Sequence, residues 1–329
     1  MTPYSALMAA SGRGPYAVSI EDVLAARERI APWARRTPLM RSASLDALAG
    51  RALHFKAEPF QRTGSFKFRG AANAVRALDD ASASRGVATH SSGNHAQALA
   101  LAARMRGIAA HIVMPSSAPA VKRAAVEAYG GIVTTCEPTL AAREAGLSAV
   151  IARTGAVAIP PFDHPMVIAG QGTIACEILE DLPHADTIIA PVGGGGMIGG
   201  IAIAARALSR RVRVIAAEPA GAADAALSKR TGVRQPMVSP ETIADGLRTS
   251  LGELTFPIVR DLVDEVIVVE EAEIVAAMRL AWERLKVVIE PSAGVGVAAV
   301  MRDDVRSRSD LGVTAVVLCG GNVDVSALG

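Results

Sequence analysis

The sequence predicts an α/β protein with two open, twisted, mostly parallel sheets flanked by helices. Short apolar segments of strand character alternate with helical segments along most of the 329 residues, and this alternation is typical of parallel sheets. Half of the residues are hydrophobic but only 3% are aromatic, which indicates a core of small aliphatic side chains between closely packed helices and sheets. A chain of this length can form two domains.

The elements follow in order along the chain. Ser19 followed three residues later by Asp22 predicts a capping box, which begins a helix that ends near Arg29. Residues before about 18 are expected to be irregular, and residues 159–163, with two adjacent prolines, are expected to form an irregular crossing back to the first domain. The predicted strands are 53–58, 86–89, 111–114, 132–136, 187–192, 212–218, 265–269 and 313–318, and the other predicted helices are 68–78, 96–104, 119–129, 140–153, 173–182, 198–208, 272–284 and 291–301.

Charge, cysteine spacing and hydropathy exclude several classes of protein. A net charge of +2 provides no strong field for nucleic acid. Cys136, Cys176 and Cys319 lie far apart without CxxC spacing, so we expect no disulfide framework or zinc site, and a reducing, cytoplasmic location. No basic segment followed by a long apolar run begins the chain, so no signal peptide is predicted. Residues 187–205 are uncharged, but Pro191 and four consecutive glycines argue against a membrane-spanning helix.

Lys67 is the residue on which the functional prediction depends. Only five of the 34 basic residues are lysines, so a retained lysine suggests chemistry that arginine cannot perform. Lysine can lose its proton near neutral pH and attack a carbonyl. Phe66 and Phe68 flank Lys67, and apolar surroundings disfavour the ammonium form. We predict that Lys67 carries an aldehyde cofactor as a Schiff base; a solvated lysine at the start of a helix is the alternative.

A glycine turn, residues 193–196, follows a predicted strand and precedes a predicted helix that begins near Met197. Turns without side chains let backbone N–H groups converge on an anion, and the helix N-terminus adds positive potential, so we predict a phosphate site. A dinucleotide loop is the rival interpretation, because the run contains GxGxxG spacing. The only acidic residue about 20 positions further on is Glu218. A tight strand–helix turn without a ligand is the third possibility.

Four further groups are candidates for binding. Ser91, Ser92, Asn94 and His95 open a helix after a strand, and hydroxyls, an amide and helix-start N–H groups suit a carboxylate; an ordinary N-cap is the alternative. Cys319 ends an apolar strand and by itself is more often a buried structural cysteine. Glu218 and Asp224 supply oxygen ligands suited to a divalent cation, or form a solvated acidic loop. Arg143 can pair with a carboxylate, or lies on the surface of a helix.

The segment Ser65-Phe66-Lys67-Phe68-Arg69-Gly70-Ala71, preceded by Thr63-Gly64, resembles the cofactor-lysine motif of fold-type II pyridoxal-phosphate enzymes. Within that family it is similar to the serine/threonine dehydratase branch that includes serine racemase and 3-hydroxyaspartate dehydratase. The motifs occur in the family's order from about Val18 to Ala327. The resemblance implies a fold similar to the tryptophan synthase β subunit, with the cofactor between a large domain of residues 1–61 and 156–329 and a small mobile domain of residues 62–155.

The resemblance also implies a role for each candidate residue. The implied cofactor contacts are Lys67, Phe66, Asn94 at the ring oxygen, Gly193, Gly194, Gly195, Gly196 and Met197 at the phosphate, and Cys319 at the pyridine nitrogen. The implied substrate contacts are Ser91, Ser92, Asn94, His95 and, for a second carboxylate, Arg143. Ser92 would face Lys67 as a second acid–base group, and the implied ligands of Mg²⁺ (or Ca²⁺ or Mn²⁺) are Glu218, the carbonyl of Ala222 and Asp224.

The resemblance therefore implies an ammonia-lyase that performs β-elimination on serine, threonine or 3-hydroxyaspartate and releases a 2-oxo acid and ammonia. The alternative within enzymes is a serine or aspartate-type racemase with side elimination. The alternative from another class is a nucleotide- or amino-acid-sensing binding protein on the same scaffold. We expect a cytoplasmic homodimer that binds a small amino acid and neither nucleic acid nor a membrane.

Overall fold

The computed structural model describes residues 15–323. Its strands are β1 (Leu39–Met40), β2 (Leu53–Ala57), β3 (Val87–His90), β4 (Ala110–Pro115), β5 (Gly131–Cys136), β6 (Val157–Ala158), β7 (Thr187–Pro191), β8 (Arg213–Pro219), β9 (Glu265–Val269) and β10 (Thr314–Leu318). Its α-helices are α1 (Ile20–Ile30), α2 (Ala43–Ala49), α3 (Lys67–Ala77), α4 (Asp80–Ser84), α5 (Asn94–Arg106), α6 (Ala120–Ala128), α7 (Leu140–Thr154), α8 (Pro165–Asp181), α9 (Gly196–Leu208), α10 (Asp224–Thr231), α11 (Thr255–Leu262), α12 (Glu271–Leu280), α13 (Pro291–Met301) and α14 (Asp303–Arg306).

The strands form two sheets, which confirms the predicted fold class. The larger sheet has the order β1-β2-β10-β7-β8-β9 and is parallel except where β1 pairs antiparallel with β2. The smaller sheet has the order β5-β4-β3-β6 and is parallel throughout. Because crossover helices cover both faces of parallel sheets, the central strands are expected to be apolar along their whole length. Both faces of β7 and β10 are accordingly buried.

The strand order brings the predicted motifs to one edge of the large sheet. β10 is the last strand of the described residues, yet it lies between β2 and β7. The carboxyl ends of parallel strands meet at the same edge, where ligands bind in open α/β sheets. The Lys67 segment follows β2, the glycine turn follows β7, and Cys319 follows β10. The topology therefore brings together residues from all three thirds of the chain.

Two hydrophobic cores meet at the Lys67 segment. The larger core surrounds the six-stranded sheet, and Phe66 packs against it. The smaller core is formed by α3, α5 and the small sheet, and it contains Phe68 as a fully buried residue. Lys67 thus lies between a phenylalanine of each core. Among the described helices, none is both long enough and apolar enough to cross a bilayer.

One predicted boundary differs from the structure. The small domain was predicted to end at residue 155, but β6 pairs with β3, and Ile159 N donates to the carbonyl of Ala88 at 2.9 Å. The small sheet therefore continues to residue 159, because a two-residue strand has too short a pattern to be recognised. The division into 1–61, 62–155 and 156–329 otherwise stays a prediction. Residues 1–14, part of the expected irregular start, and residues 324–329, which include Ala327, lie outside the described range.

Local predictions were correct where the sequence pattern was strong. The capping box of Ser19 and Asp22 is confirmed at the start of α1. The predicted helix 272–284 is interrupted instead: α12 ends at Leu280, and a π-helical turn, Ala281–Leu285, ends at Lys286 with φ 59°. Hydrophobic periodicity does not distinguish α from π hydrogen bonding over five residues. The short helices α2, α4, α10, α11 and α14 were not predicted.

Candidate active site

The Lys67 segment is joined to the end of β10 by backbone hydrogen bonds. Phe66 N donates to the carbonyl of Cys319 at 3.0 Å, and Gly321 N donates to the carbonyl of Gly64 at 2.9 Å. Gly64 has φ 71°, a conformation that favours glycine. A Cβ there would lie 2.5 Å from Oδ1 of Asn322, which belongs to the extension of β10, residues 319–322. Lys67 and Cys319 are therefore held next to each other by the main chain.

The Lys67 amine has no carboxylate partner among the described residues. Its Nζ donates to the carbonyl of Pro161 at 2.8 Å and lies 5.0 Å from the centroid of the Phe66 ring. The side chain as a whole retains some exposure to the cleft. Protein atoms nevertheless surround the amine, and this desolvation lowers the pKa of Lys67 to about 8. At pH 7 about a tenth of Lys67 is therefore neutral and can act as a base or a nucleophile, far more than for an ordinary lysine.

A buried carboxyl group that the sequence analysis missed lies beside Lys67. Glu290 precedes α13 and is 4% exposed. Asn94 Nδ2 donates to both carboxyl oxygens of Glu290, at 2.9 and 3.1 Å. Burial raises the pKa of Glu290 to about 7. Glu290 is the only charged residue in 287–301, and a single charge in such an apolar segment was the signal that could have identified it.

Asn94 is held from two sides. While its amide group donates to Glu290, its Oδ1 accepts from Asn322 Nδ2 at 2.8 Å. Asn322 Nδ2 also donates to the carbonyl of Thr63 at 2.7 Å. A primary amide has two N–H donors, so Asn94 keeps at most one for a ligand. This chain of hydrogen bonds connects the small-sheet helix α5 to the Lys67 segment and to the extension of β10.

Cys319 lies within the same group. It is 2% exposed, and burial together with the nearby Glu290 raises the pKa of its thiol well above the ordinary value. The thiol is therefore neutral at physiological pH. A neutral thiol can donate a hydrogen bond to a heteroaromatic nitrogen. Unlike a carboxylate, it does not force that nitrogen to be protonated.

The glycine turn has the properties of an anion site. Within residues 15–323, none of the backbone N–H groups of Gly193 to Ile198 donates to a protein acceptor. The helix α9 begins in this turn without a side-chain cap, and Gly195 has φ 84°. Cβ atoms at Gly194 and Gly196 would overlap Phe162, and one at Gly193 would lie 2.9 Å from Leu247 Cα. Converging N–H groups at a helix N-terminus suit a phosphate.

The predicted carboxylate loop joins β3 to α5. Ser91 and Ser92 are half-buried there, and Ser91 Oγ accepts from Gly93 N at 3.4 Å. His95 is buried, and its Nε2 lies 2.8 Å from the carbonyl of Ile159. Because a carbonyl can only accept, Nε2 carries the hydrogen. Burial, with a smaller effect from Lys67, lowers the pKa of His95 to about 3, so His95 is neutral and near Lys67.

Arg143 is half-buried in the first turn of α7. Its Nε is buried without a hydrogen-bond partner among the described residues. Burial and then the charge of Arg143 lower the pKa of His90, the last residue of β3, so the guanidinium is close to the carboxylate loop. A cation near this loop without a carboxylate partner is an arrangement that can accept an anionic group.

Glu218 and Asp224 form a separate buried pair behind the glycine turn. The carboxyl oxygens of Glu218 accept from the N–H groups of Ala225 and Ala226, both at 2.8 Å. Burial raises the pKa of Glu218 to about 8 and that of Asp224 to about 6. Asp224 Oδ1 is buried and has no hydrogen-bond partner within residues 15–323. Both carboxyl oxygens of Glu218 are therefore held by the first turn of α10.

The candidate site residues thus lie in two separate groups. Lys67, Cys319, Asn94 and His95 gather with Glu290 beside the glycine turn, whereas Glu218 and Asp224 form no hydrogen bond with that group. No cluster of three or more histidine, cysteine or acidic side chains with metal-binding geometry occurs within residues 15–323. A cation at Glu218 and Asp224 would therefore depend on carbonyl and water ligands as well.

Comparisons with known proteins agree on one family. The family model "Pyridoxal-phosphate dependent enzyme" matches residues 30–320. A serine racemase of Oryza sativa subsp. indica is 48% identical over 316 residues, which cover 95% of this chain and 93% of the relative. A beta-hydroxyaspartate dehydratase of Paracoccus denitrificans is 46% identical over 313 residues, 95% and 99% of the two chains. The solved structure of maize serine racemase has a TM-score of 0.92 at 48% identity, covering 95% and 96%.

Proposed function

The chain belongs to the family of pyridoxal-phosphate dependent enzymes, and from this premise we propose that it eliminates water from a β-hydroxy amino acid and releases a 2-oxo acid and ammonia. The observation that carries the proposal is the Lys67 amine. It has no carboxylate partner within the described range, a pKa of about 8, and Cys319 beside it. A lysine in this state can bond an aldehyde and move protons at neutral pH.

The described residues fit pyridoxal phosphate. The unpaired N–H groups of the glycine turn suit its phosphate, Lys67 suits its aldehyde, and the neutral thiol of Cys319 suits its pyridine nitrogen. When bound, the cofactor supplies an electron sink that stabilises negative charge at the α-carbon of an amino acid. The positions of Phe66, Asn94 and Met197 against the cofactor remain part of this proposal.

The residues of the chain would divide the remaining work. Lys67 accepts the α proton as a general base. Ser91, Ser92, Asn94 and the start of α5 hold the substrate carboxylate. Glu290, with its pKa of about 7, keeps a proton near the site and orients Asn94 through their hydrogen bonds. Closure of the small sheet over this group would exclude water.

Racemisation is the second candidate. Its support is the serine racemase relatives and Ser92, a hydroxyl in the carboxylate loop that could return a proton to the face opposite Lys67. A serine hydroxyl is a weak acid–base group unless a base activates it, so we propose elimination as the main reaction. The two reactions differ in a simple way, since an enzyme restricted to elimination returns no inverted enantiomer.

For the substrate, Arg143 favours a dicarboxylic amino acid. Its unpaired Nε and its proximity to His90 support a role in binding a second carboxylate, as 3-hydroxyaspartate would provide. The relative from Paracoccus denitrificans, by its name, acts on beta-hydroxyaspartate. Serine or threonine is the alternative substrate if Arg143 only lies at the surface of α7.

We further propose that Glu218, the carbonyl of Ala222 and Asp224 bind Mg²⁺, Ca²⁺ or Mn²⁺. Two desolvated carboxyl groups with raised pKa values and one unpartnered oxygen are destabilising without a counter-charge. A hard divalent cation with oxygen ligands would neutralise them. This ion would stabilise the turn behind the phosphate site. A homodimer in the cytoplasm remains a prediction from the family resemblance.

The proposed function is tested by 2-oxo acid release from serine, threonine and each isomer of 3-hydroxyaspartate, with chiral analysis of the recovered substrate. We expect release from 3-hydroxyaspartate above that from serine.

Arg143→Met should lower kcat/KM for 3-hydroxyaspartate about 10- to 100-fold, the size of a charge-assisted hydrogen bond, and should change serine turnover less. Arg153→Met, an exposed arginine of the same helix, is the control. Inversion without 2-oxo acid release from any substrate would overturn elimination in favour of racemisation.

A further inference from the structure

Three consecutive residues of the crossing between the sheets touch both ends of the candidate site. The 161–163 segment contains Pro161, Phe162 and Asp163. Its first carbonyl accepts from Lys67 Nζ at 2.8 Å. The ring of Phe162 packs so closely against Gly194 that a Cβ there would overlap the ring carbons. A Cβ at Gly196 would overlap the backbone and Cβ of Phe162. The segment therefore contacts the amine on one side and the anion site on the other.

Asp163 extends this connection to the helix α11. Its carboxylate accepts from the backbone N–H groups of Glu253 at 2.9 Å, Leu254 at 2.9 Å and Thr255 at 3.3 Å. The residue before α11, Leu254, has no side chain that could cap the helix. Asp163 thus caps this helix from a distant part of the chain, and it fixes the first turn of α11 relative to the crossing.

Thr255 completes the path back to the glycine turn. It is fully buried, and its Oγ1 donates to the carbonyl of Gly194 at 2.7 Å. Gly252 N also donates to the carbonyl of Gly194, at 3.4 Å. Because C=O and N–H of one trans peptide point in opposite directions, fixing the Gly194 carbonyl also fixes the direction of the Gly195 N–H, which points away from Thr255.

We propose that Asp163 and Thr255 are positioning residues that hold the glycine turn at the distance from Lys67 that a ligand with a carbonyl group and a phosphate requires. This inference rests on the proposed function. In pyridoxal phosphate the aldehyde and the phosphate-bearing methylene are on adjacent ring carbons, so the spacing of the two groups is limited by covalent bonds. The protein has to match that spacing with two elements, and the 161–163 segment and Thr255 join them.

The experiment compares the affinity of the full chain for pyridoxal phosphate with its affinity for pyridoxal, which has the aldehyde but no phosphate, by visible absorbance. Thr255→Val and Asp163→Asn should lower the affinity for pyridoxal phosphate about 10- to 100-fold, as expected for weakened hydrogen bonds to a charged group. Their affinity for pyridoxal should change less than about threefold. Thr255→Ser should restore the preference, because it keeps the hydroxyl.

Matched controls are available at the opposite end of β7. Thr187 is also fully buried, and its Oγ1 donates to the carbonyl of Leu311 at 2.7 Å. Asp186 accepts from Val313 N at 2.9 Å. Thr187→Val and Asp186→Asn remove comparable hydrogen bonds outside the site, so they should leave the affinity ratio of the two ligands unchanged even where they lower thermal stability.

The outcomes separate the inference from the proposed function. If the unsubstituted chain binds both ligands equally, the glycine turn is not a phosphate site, and the proposed function loses its support. If that chain prefers pyridoxal phosphate but Thr255→Val and Asp163→Asn keep the same ratio, the positioning inference is wrong while the function stands. If Thr255→Val fails to fold, the positioning inference is tested with Asp163→Asn alone, which keeps one acceptor oxygen. The measurement is again the ratio of the affinities for pyridoxal phosphate and pyridoxal.

Discussion

Two lysines of one short segment lie in contrasting electrostatic surroundings. Lys56 is fully buried in β2, and its Nζ forms a 2.6 Å ion pair with Glu177. Lys67 is partly exposed to the cleft and donates only to the carbonyl of Pro161 among the described residues. Because lysine is rare in this chain, the sequence alone makes both residues candidates for chemistry that arginine cannot perform. The structure distinguishes them, because Lys56 forms an ion pair with a carboxylate and Lys67 forms none among the described residues.

The Lys56 cluster is balanced. Arg69 donates to both oxygens of Glu58 at 2.8 Å and to Glu177 at 2.6 Å. Burial favours the neutral form of Glu177, but the hydrogen bonds and charges of Arg69 and Lys56 outweigh it and lower the pKa of Glu177. The cluster therefore holds two cations and two anions, and it joins β2, α3 and α8 as part of the scaffold.

The Lys67 cluster is not balanced. Desolvation lowers the pKa of Lys67 to about 8 and raises that of Glu290 to about 7, so both groups titrate near neutral pH. Perturbed pKa values without a compensating ion pair are typical of sites that move protons. The comparison teaches that burial alone does not distinguish the lysine that we propose as catalytic from a structural one; the presence or absence of an ion-pair partner does.

The largest expected effect is on activity. Lys67→Ala should abolish the yellow colour of the bound cofactor and lower 2-oxo acid release at least about 1,000-fold, because it removes both the nucleophile and the base. Lys56→Met should retain the colour. Both are measured by absorbance and a coupled 2-oxo acid assay. Retained turnover in Lys67→Ala would show that Lys67 is neither the nucleophile nor the base of the reaction.

The second expected effect is on stability, and it is reversed between the two lysines. Lys56→Met leaves Glu177 with one cation fewer in a buried setting and should lower the free energy of unfolding by about 3–5 kcal/mol. Lys67→Met removes a desolvated amine without breaking an ion pair and should leave stability unchanged or higher. Denaturant unfolding at pH 7 measures both variants. Equal losses would show that the two lysines are alike.

The third expected effect is on the pH dependence of stability. Folding raises the pKa of Glu290 from 4.5 to about 7, so between these pH values the folded protein binds more protons than the unfolded chain. Stability due to Glu290 should therefore be complete below pH 4.5 and fall by about 3 kcal/mol as pH rises to 7. Glu290→Gln should lack this decrease. Parallel unfolding curves of the variant and the unsubstituted protein from pH 5 to 8 would contradict it.

The smallest expected effect comes from the second unbalanced pair, Glu218 and Asp224. Mg²⁺ or Ca²⁺ at about 100 times its dissociation constant should raise the free energy of unfolding by about 2.7 kcal/mol, and chelation should reverse it. Glu218→Gln should remove the response. Glu58→Gln, a change in the balanced cluster, should leave the response intact although it destabilises the protein. A melting temperature that is unaffected by either cation would leave this pair as a structural feature only.

Much of the fold and of the site could be predicted from the sequence because the signals are local. The alternation of strands and helices, the capping box of Ser19, the glycine run after a strand and the phenylalanines around Lys67 all act within a few residues. The family resemblance, which the comparisons confirm, rests on the same local motifs. Glu290 was missed because its hydrogen-bond partner Asn94 is distant in the chain and meets it only through folding.

The sequence by itself determined which chemical groups the protein possesses and which local structures carry them: a lysine between two phenylalanines, a turn without side chains, and a thiol at the end of an apolar strand. Only the tertiary structure decided which charges are neutralised. Three outcomes depend on the order of strands in the large sheet. Lys56 forms an ion pair with Glu177, Lys67 forms none among the described residues, and Asp163 reaches the first turn of α11. Electrostatic energy depends on distance and burial, and both are properties of the folded chain.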